Sequence, residues 1–214
     1  MLAIYPFQRR LPYRIIGASG LALFLILAGS VFLPIGNSQA QSVSTRRITA
    51  PIFAPIFTAK NQDGVDFNLE SRRGVGYTVL FFYPKAGTPG CTKQACAFRD
   101  SIKVIRKLGA EVYGISADSV AAQKKFHDEH KMTFDLLSDE DVKIISRYDV
   151  KMPVLSMAKR QTFILDKALV VRKHFEDVDP ALDAKNVAAE IASLQADDAR
   201  VNEQRNEQKN EQKK

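Results

Sequence analysis

The 214 residues of this chain hold only two cysteines and three histidines. Two cysteines cannot build a disulfide-stapled scaffold of the kind small secreted domains use. They also fall short of a structural zinc site, which needs four ligands. Of the histidines, His127 and His130 share a helix-like stretch and His174 stands apart, and nothing ties any of them to the cysteines. No metal or cofactor is therefore expected. Tryptophan is absent, which decides nothing. There is no basic stripe with interleaved aromatics, so nucleic-acid binding has no support. Residues 1–40 hold Arg9, Arg10 and Arg14 and no acidic side chain. Setting those arginines aside lowers the formal charge from +7 to +4, a mild excess held partly in the C-terminal tail.

What the first forty residues do hold is a targeting pattern. An arginine cluster precedes an uncharged apolar run over 15–35, and Ser38-Gln39-Ala40 supplies small residues at a cleavage site. The run is long for a secretory signal and long enough to span a bilayer. Residues 1–40 are thus expected to be a signal peptide or a membrane anchor. Either places the rest outside the cytoplasm, in a periplasm or an equivalent lumen. Residues 41–50 read as a linker and 51–195 as the globular domain. Residues 196–214 repeat Asn-Glu-Gln-Arg/Lys from positions 202, 206 and 210. With almost no apolar surface to bury, this tail is expected to be disordered, or at most a frayed helix.

Within the domain, short apolar runs alternate with helical periodicity. Asp63-Gly64 marks a turn between two short extended pieces. Tyr77 to Tyr83 and Glu111 to Ser116 read as buried strands. Thr92 to Leu108 carries Ala95, Phe98, Ile102, Ile105 and Leu108 at helical spacing, with Gly109 as its stop. Asp118 to Lys131 is a second helix, with its cap in the Ser116-Ala117-Asp118 region. Ser138 to Asp141 caps a third that runs to Arg147. Arg160 to Leu165 and Leu169 to His174 form a hairpin around Asp166-Lys167. Pro180 to Leu194 closes the domain as a helix with Leu182, Val187, Ile191 and Leu194 on its face. This order predicts an α/β fold: a thioredoxin-like mixed β-sheet flanked by helices, with extra N-terminal extended elements.

The chemistry concentrates where the first buried strand meets the first helix. Cys91 follows a Pro/Gly loop there, where backbone N–H groups and the helix dipole favour an anion. The thiolate is the reactive form of cysteine. Cys96 lies five residues on. On a helix, residues so spaced have Cα atoms about 8–9 Å apart and point about 140° away from each other. A disulfide needs Cα atoms within about 7 Å. If both cysteines are helical, they bond only when the helix unwinds. Such a pair is a poor static staple and suits a redox cycle, although an oxidising compartment also permits a structural disulfide.

Pro84-x-x-x-Thr88-x-x-Cys91 resembles the active-site signature of the peroxiredoxins. With Cys96 in Thr92-Lys-Gln-Ala-Cys96-Ala-Phe-Arg-Asp100, it is similar to the bacterioferritin comigratory protein / peroxiredoxin Q subfamily. Asp63-Gly64, Leu136-Leu137-Ser138-Asp139 and Arg160-Gln-Thr-Phe-Ile-Leu-Asp166 extend the likeness across residues 51–195. The resemblance implies an atypical 2-Cys thiol peroxidase acting on hydrogen peroxide and organic hydroperoxides. Cys91 would be the peroxidatic nucleophile and Cys96 the resolving thiol. Thr88 would hydrogen-bond the peroxide, Pro84 would wall the pocket, and Arg160 would hold the thiolate. A thioredoxin-like donor would reduce the disulfide. Resolution within one chain needs no second subunit, so a monomer is expected.

Pro84 and Thr88 also fit a plain turn and helix cap, and Arg99 is a competing cation. The segment Lys151 to Met157 departs from the glycine- and aromatic-rich stretch of that subfamily, leaving the preferred hydroperoxide open. Two other function classes are a thioredoxin-type thiol–disulfide oxidoreductase and a redox-inert module with a structural disulfide. The first uses C-x-x-C, whereas the spacing here is C-x₄-C.

Overall fold

A computed structural model describes residues 51–212. The targeting segment and the linker lie outside the described residues. Among those described, no helix is long and apolar enough to cross a membrane.

Seven strands form one mixed sheet. They are β1 (Thr58–Asn61), β2 (Asp66–Asn68), β3 (Tyr77–Phe82), β4 (Ala110–Ser116), β5 (Leu136–Ser138), β6 (Gln161–Leu165) and β7 (Val171–Phe175). Their order is β2-β1-β5-β4-β3-β6-β7. β3, β4 and β5 run parallel, and the outer strands pair antiparallel. The helices are α1 (Pro89–Lys107), α2 (Val120–Glu129), α3 (Lys143–Arg147) and α4 (Asp183–Glu211). This is the expected thioredoxin-like fold. β1 and β2 form the extra N-terminal hairpin, turned at Gly64 with φ +75°.

All six residues of β3 are buried, as befits a central strand covered on both faces. The pleat divides them. Val79, Phe81 and Tyr83 join the core that holds Phe98 and Ile105 of α1, Phe126 of α2 and Val187 and Ile191 of α4. Leu80 and Phe82 join the opposite core with Ile144 and Ile145 of α3 and Phe57 and Ala54 of the N-terminal segment. α1 is fixed by a ring stack, Phe81 on Phe98, with centroids 4.6 Å apart.

That stack depends on Gly114, which faces Phe81 across the parallel pair. A Cβ there would sit 2.6 Å from Phe81 Cζ and 2.8 Å from Leu136 Cδ2. Both neighbours are fully buried and cannot step aside. Gly114→Ala is therefore expected to cost about 1–3 kcal/mol by overpacking, read as a lowered denaturant midpoint at unchanged slope. A midpoint equal to wild type would contradict this packing.

Three expectations need correction. The cap of α2 is Ser119, whose hydroxyl accepts from Ala122 N, while Asp118 turns away to other work. Leu182 does not lie on the buried face of the last helix. It is 48% exposed, and Asp183, at 2%, takes that place. The spacing accounts for it, because 183, 187, 191 and 194 follow the helical period and 182 does not. The last helix does not stop at Leu194 either, since α4 continues through Glu211. Asp198 anchors the extension by accepting from Arg172 Nη2 at 2.9 Å and from Tyr77 Oη at 3.1 Å. Beyond it, Glu, Gln, Arg and Lys are good helix formers that need no buried face.

Candidate active site

The C-terminal end of β3 runs straight into the loop that leads to α1. Pro84, half-buried, follows the last strand residues, and Pro89 opens the helix at a position where a missing N–H costs nothing. The loop is held in place by Asp118, whose Oδ2 accepts from Ala86 N at 2.7 Å and from Ser116 Oγ at 2.7 Å.

Both cysteines lie in α1 and both are free thiols. Cys91 sits in the first turn, 1% exposed, at the edge of the core formed by Phe81, Tyr83 and Ala95. Cys96 is half-buried, one and a half turns on. Thr88 is the N-cap residue, yet its side chain makes no cap hydrogen bond. Its hydroxyl donates instead to the Lys85 carbonyl at 2.9 Å. That leaves its oxygen as an acceptor only. The first-turn N–H groups of Gly90 and Cys91 have no partner within the helix. No acidic residue occupies that turn to offset the dipole.

Arg160 closes the site. It immediately precedes β6, whose first residue, Gln161, pairs with Phe82 at the end of β3. This register carries the guanidinium to the start of α1. Arg160 Nη2 donates to Cys91 Sγ at 3.4 Å. Gly90 leaves room for this approach, because a Cβ there would lie 3.2 Å from the same nitrogen and push the guanidinium back by a few tenths of an ångström. Arg99, the competing cation, is engaged elsewhere. It pairs with Asp100 at 2.9 Å and donates to the His130 carbonyl at 2.7 Å.

Behind Arg160 stands a buried polar chain that the sequence motifs did not single out. Arg160 Nη1 donates to Gln94 Oε1 at 2.5 Å. Gln94 Nε2 in turn donates to Asp183 Oδ2 at 2.6 Å, and Thr162 Oγ1 donates to the same oxygen at 2.8 Å. Gln94, Thr162 and Asp183 are all buried. Burial pushes the Asp183 carboxyl above the usual carboxylate range, against the pull of its two donors and of Arg160. The available signal was periodicity. Gln94 precedes Phe98 by four residues and Asp183 precedes Val187 by four, so each is a polar side chain on an apolar stripe.

Before Arg160 in sequence, Lys151 pairs with Ala158 and Met152 N donates to Met157 O at 2.9 Å. The loop so closed holds Val154 92% exposed.

The arrangement presents one buried sulfur to a cation and to free backbone donors, beside an oxygen that can accept a hydrogen bond. It suits attack by a thiolate on a small polar molecule that gains negative charge as it reacts.

The chain is similar to a set of known proteins. The model of the AhpC/TSA family matches residues 53–174. Chloroplastic peroxiredoxin Q of Oryza sativa subsp. japonica is 47% identical over 120 residues, which cover 56% of this chain and 55% of the rice protein. Chloroplastic peroxiredoxin Q of Suaeda salsa is 45% identical over 146 residues, or 68% of each chain. The chain thus spans little more than half the length of the rice relative. Among solved structures, peroxidoxin BcpB of Mycobacterium tuberculosis has a TM-score of 0.64 at 32% identity, over 67% of this chain and 96% of its own. The bacterioferritin comigratory protein of Xanthomonas campestris, described for its alkyl peroxide reduction activity, has a TM-score of 0.61 at 28% identity. That match covers 64% of this chain and 91% of the Xanthomonas protein.

Proposed function

The chain belongs to the AhpC/TSA family and, within it, to the peroxiredoxin Q branch, and on that premise we propose that it is a thiol peroxidase of the atypical 2-Cys type. The observation that carries this reading is the Arg160 guanidinium on the Cys91 sulfur, at the uncapped start of α1.

The Cys91 thiolate attacks one oxygen of the peroxide, and the O–O bond breaks. Cys91 is oxidised to a sulfenic acid, and the departing oxygen takes a proton from solvent to leave as water or an alcohol. Negative charge moves from sulfur to the departing oxygen. Arg160 and the N–H groups of Gly90 and Cys91 stabilise it along that path. Thr88, its own proton committed to Lys85, accepts the hydrogen bond of the peroxide O–H and so orients it. Pro84 walls the pocket against water. Cys96 then attacks the sulfenic sulfur, forming the Cys91–Cys96 disulfide and releasing water. Because both cysteines lie on α1, this step unwinds the start of that helix.

A thioredoxin-like donor returns the pair to thiols. The arginine-led apolar segment over 15–35 supports action outside the cytoplasm, by a leader removed after Ala40 or retained as an anchor. The donor is then one that works in that compartment. Resolution within a single helix leaves no role for a second subunit, in keeping with a monomer. Hydrogen peroxide and organic hydroperoxides are the substrate class, the latter in line with the Xanthomonas relative.

Adding one equivalent of hydrogen peroxide to the reduced protein tests this. Intact mass after thiol alkylation should fall from two blocked thiols to none, faster than free cysteine oxidises by orders of magnitude. Oxidation at the rate of free cysteine would sink the peroxidase reading. Rapid disulfide exchange with a dithiol, without peroxide reactivity, would favour the oxidoreductase class.

A further inference from the structure

Gln94 lies between the two cysteines in sequence and is fully buried in the reduced protein. Its two ends are both engaged, one by Arg160 and the other by Asp183. The unwinding that brings Cys96 to Cys91 cannot spare it. When the stretch from 91 to 96 leaves the helix, Gln94 leaves its place between them. Asp183, the first residue of α4, then keeps Thr162 as its one remaining donor. A buried carboxylate that loses a short hydrogen bond is costly.

We propose that Asp183 is a positioning residue that, through Gln94, latches the start of α1 in its helical form. The latch thereby sets how the Cys91 sulfenic acid divides between resolution and further oxidation. The inference rests on the peroxidase reading.

Two reactions compete at that sulfenic acid. In one, Cys96 displaces the hydroxyl, so that Cys–SOH and Cys–SH give the disulfide and water. In the other, a second peroxide transfers an oxygen, so that Cys–SOH and ROOH give the sulfinic acid and ROH. The second needs the helix folded, with Cys91 still in its pocket. The first needs it open. A stronger latch lengthens the life of the sulfenic acid in the pocket and favours the sulfinic product. The same chain of hydrogen bonds also holds Arg160 on the sulfur. Asp183 therefore favours the first oxidation and delays the resolution that follows.

The test uses the full chain in quenched-flow experiments. Sulfenic acid is trapped with a dimedone reagent, and sulfinic acid is counted by mass after turnover over a range of peroxide concentrations. Asp183→Ala is expected to raise the ratio of resolution to sulfinic formation by about fivefold or more, given what an unpaired buried acceptor costs. Its first oxidation slows at the same time. Asp183→Asn keeps a neutral acceptor for both donors, so it should shift the ratio in the same direction by less. It also decides the matter if the alanine variant does not fold. Val187→Ala loosens the same helix one turn on, outside the polar chain. It should lower thermal stability and leave the ratio at the wild-type value.

An unchanged ratio in the Asp183 variants with sulfenic acid still forming would overturn the latch alone. So would an equal shift in Val187→Ala. No sulfenic acid in the wild type would overturn the peroxidase reading together with the latch.

Discussion

Serine at position 91 is expected to end peroxide consumption, whereas serine at position 96 leaves the first oxidation at its wild-type rate and stops the cycle after it. The difference follows from where the two side chains stand. Cys91 is the sulfur beneath the Arg160 guanidinium and beside the free N–H groups of the α1 start. A serine hydroxyl in that field is not ionised and has no nucleophilic sulfur, and removing a nucleophile costs on the order of 10³-fold or more. Cys96, five residues along the same helix, faces away from that field and touches the reaction only after sulfenic acid exists. In Cys96→Ser the sulfenic acid should accumulate, react with dimedone, and pass to sulfinic acid as peroxide is raised. Intact mass spectrometry distinguishes all three species. Peroxide turnover in Cys91→Ser above a tenth of the wild-type rate would move the nucleophile away from Cys91. A disulfide in Cys96→Ser protein would have to be intermolecular, because no third cysteine exists.

The contrast between these two thiols was legible in the sequence because it depends on local order. A buried strand, a Pro/Gly loop, Pro89 and a run of helical periodicity specify a strand-to-helix junction without reference to anything distant. The central strands and the helices over 92–108 and 118–131 were legible for the same reason. Helix boundaries were less so. The first helix begins three residues earlier than periodicity alone marks, because Pro89 and Gly90 carry no apolar side chain onto the stripe that Cys91 opens and Ala95 and Phe98 continue.

What could not be read locally was the polar chain. Gln94, Thr162 and Asp183 come from α1, β6 and α4, and only the packing of α4 over the sheet brings them together. Placing Leu182 rather than Asp183 on the buried face is the same difficulty in miniature. Hydrophobicity favours the leucine, but the helical period and the donors waiting on Gln94 and Thr162 favour the carboxylate. Asp118 is similar. Its sequence position marks a helix cap, and its task in the fold is to hold the loop at Ala86.

Arg160 joins the local and the distant parts of the site, and its removal is the second large effect to expect. It is 69 residues from Cys91 in sequence and arrives by the β3–β6 register. One nitrogen donates to the sulfur and another to Gln94, a fork that a planar guanidinium supplies and an ammonium does not. Arg160→Met preserves much of the side-chain bulk. It removes the positive charge from the site of developing negative charge and leaves Gln94 Oε1 without its donor. Loss of one preorganised donor of this type costs about 10²–10³-fold, and the sulfenic-acid formation rate should fall by that amount. Arg160→Lys restores charge without the fork, so its rate should lie between the two. Arg99 offers no substitute, because its guanidinium is held by Asp100 and the His130 carbonyl. Quenched-flow trapping of sulfenic acid under pseudo-first-order peroxide measures each rate directly. A methionine variant within threefold of wild type would remove Arg160 from the reaction and leave the backbone donors of α1 as the sole electrostatic support for Cys91.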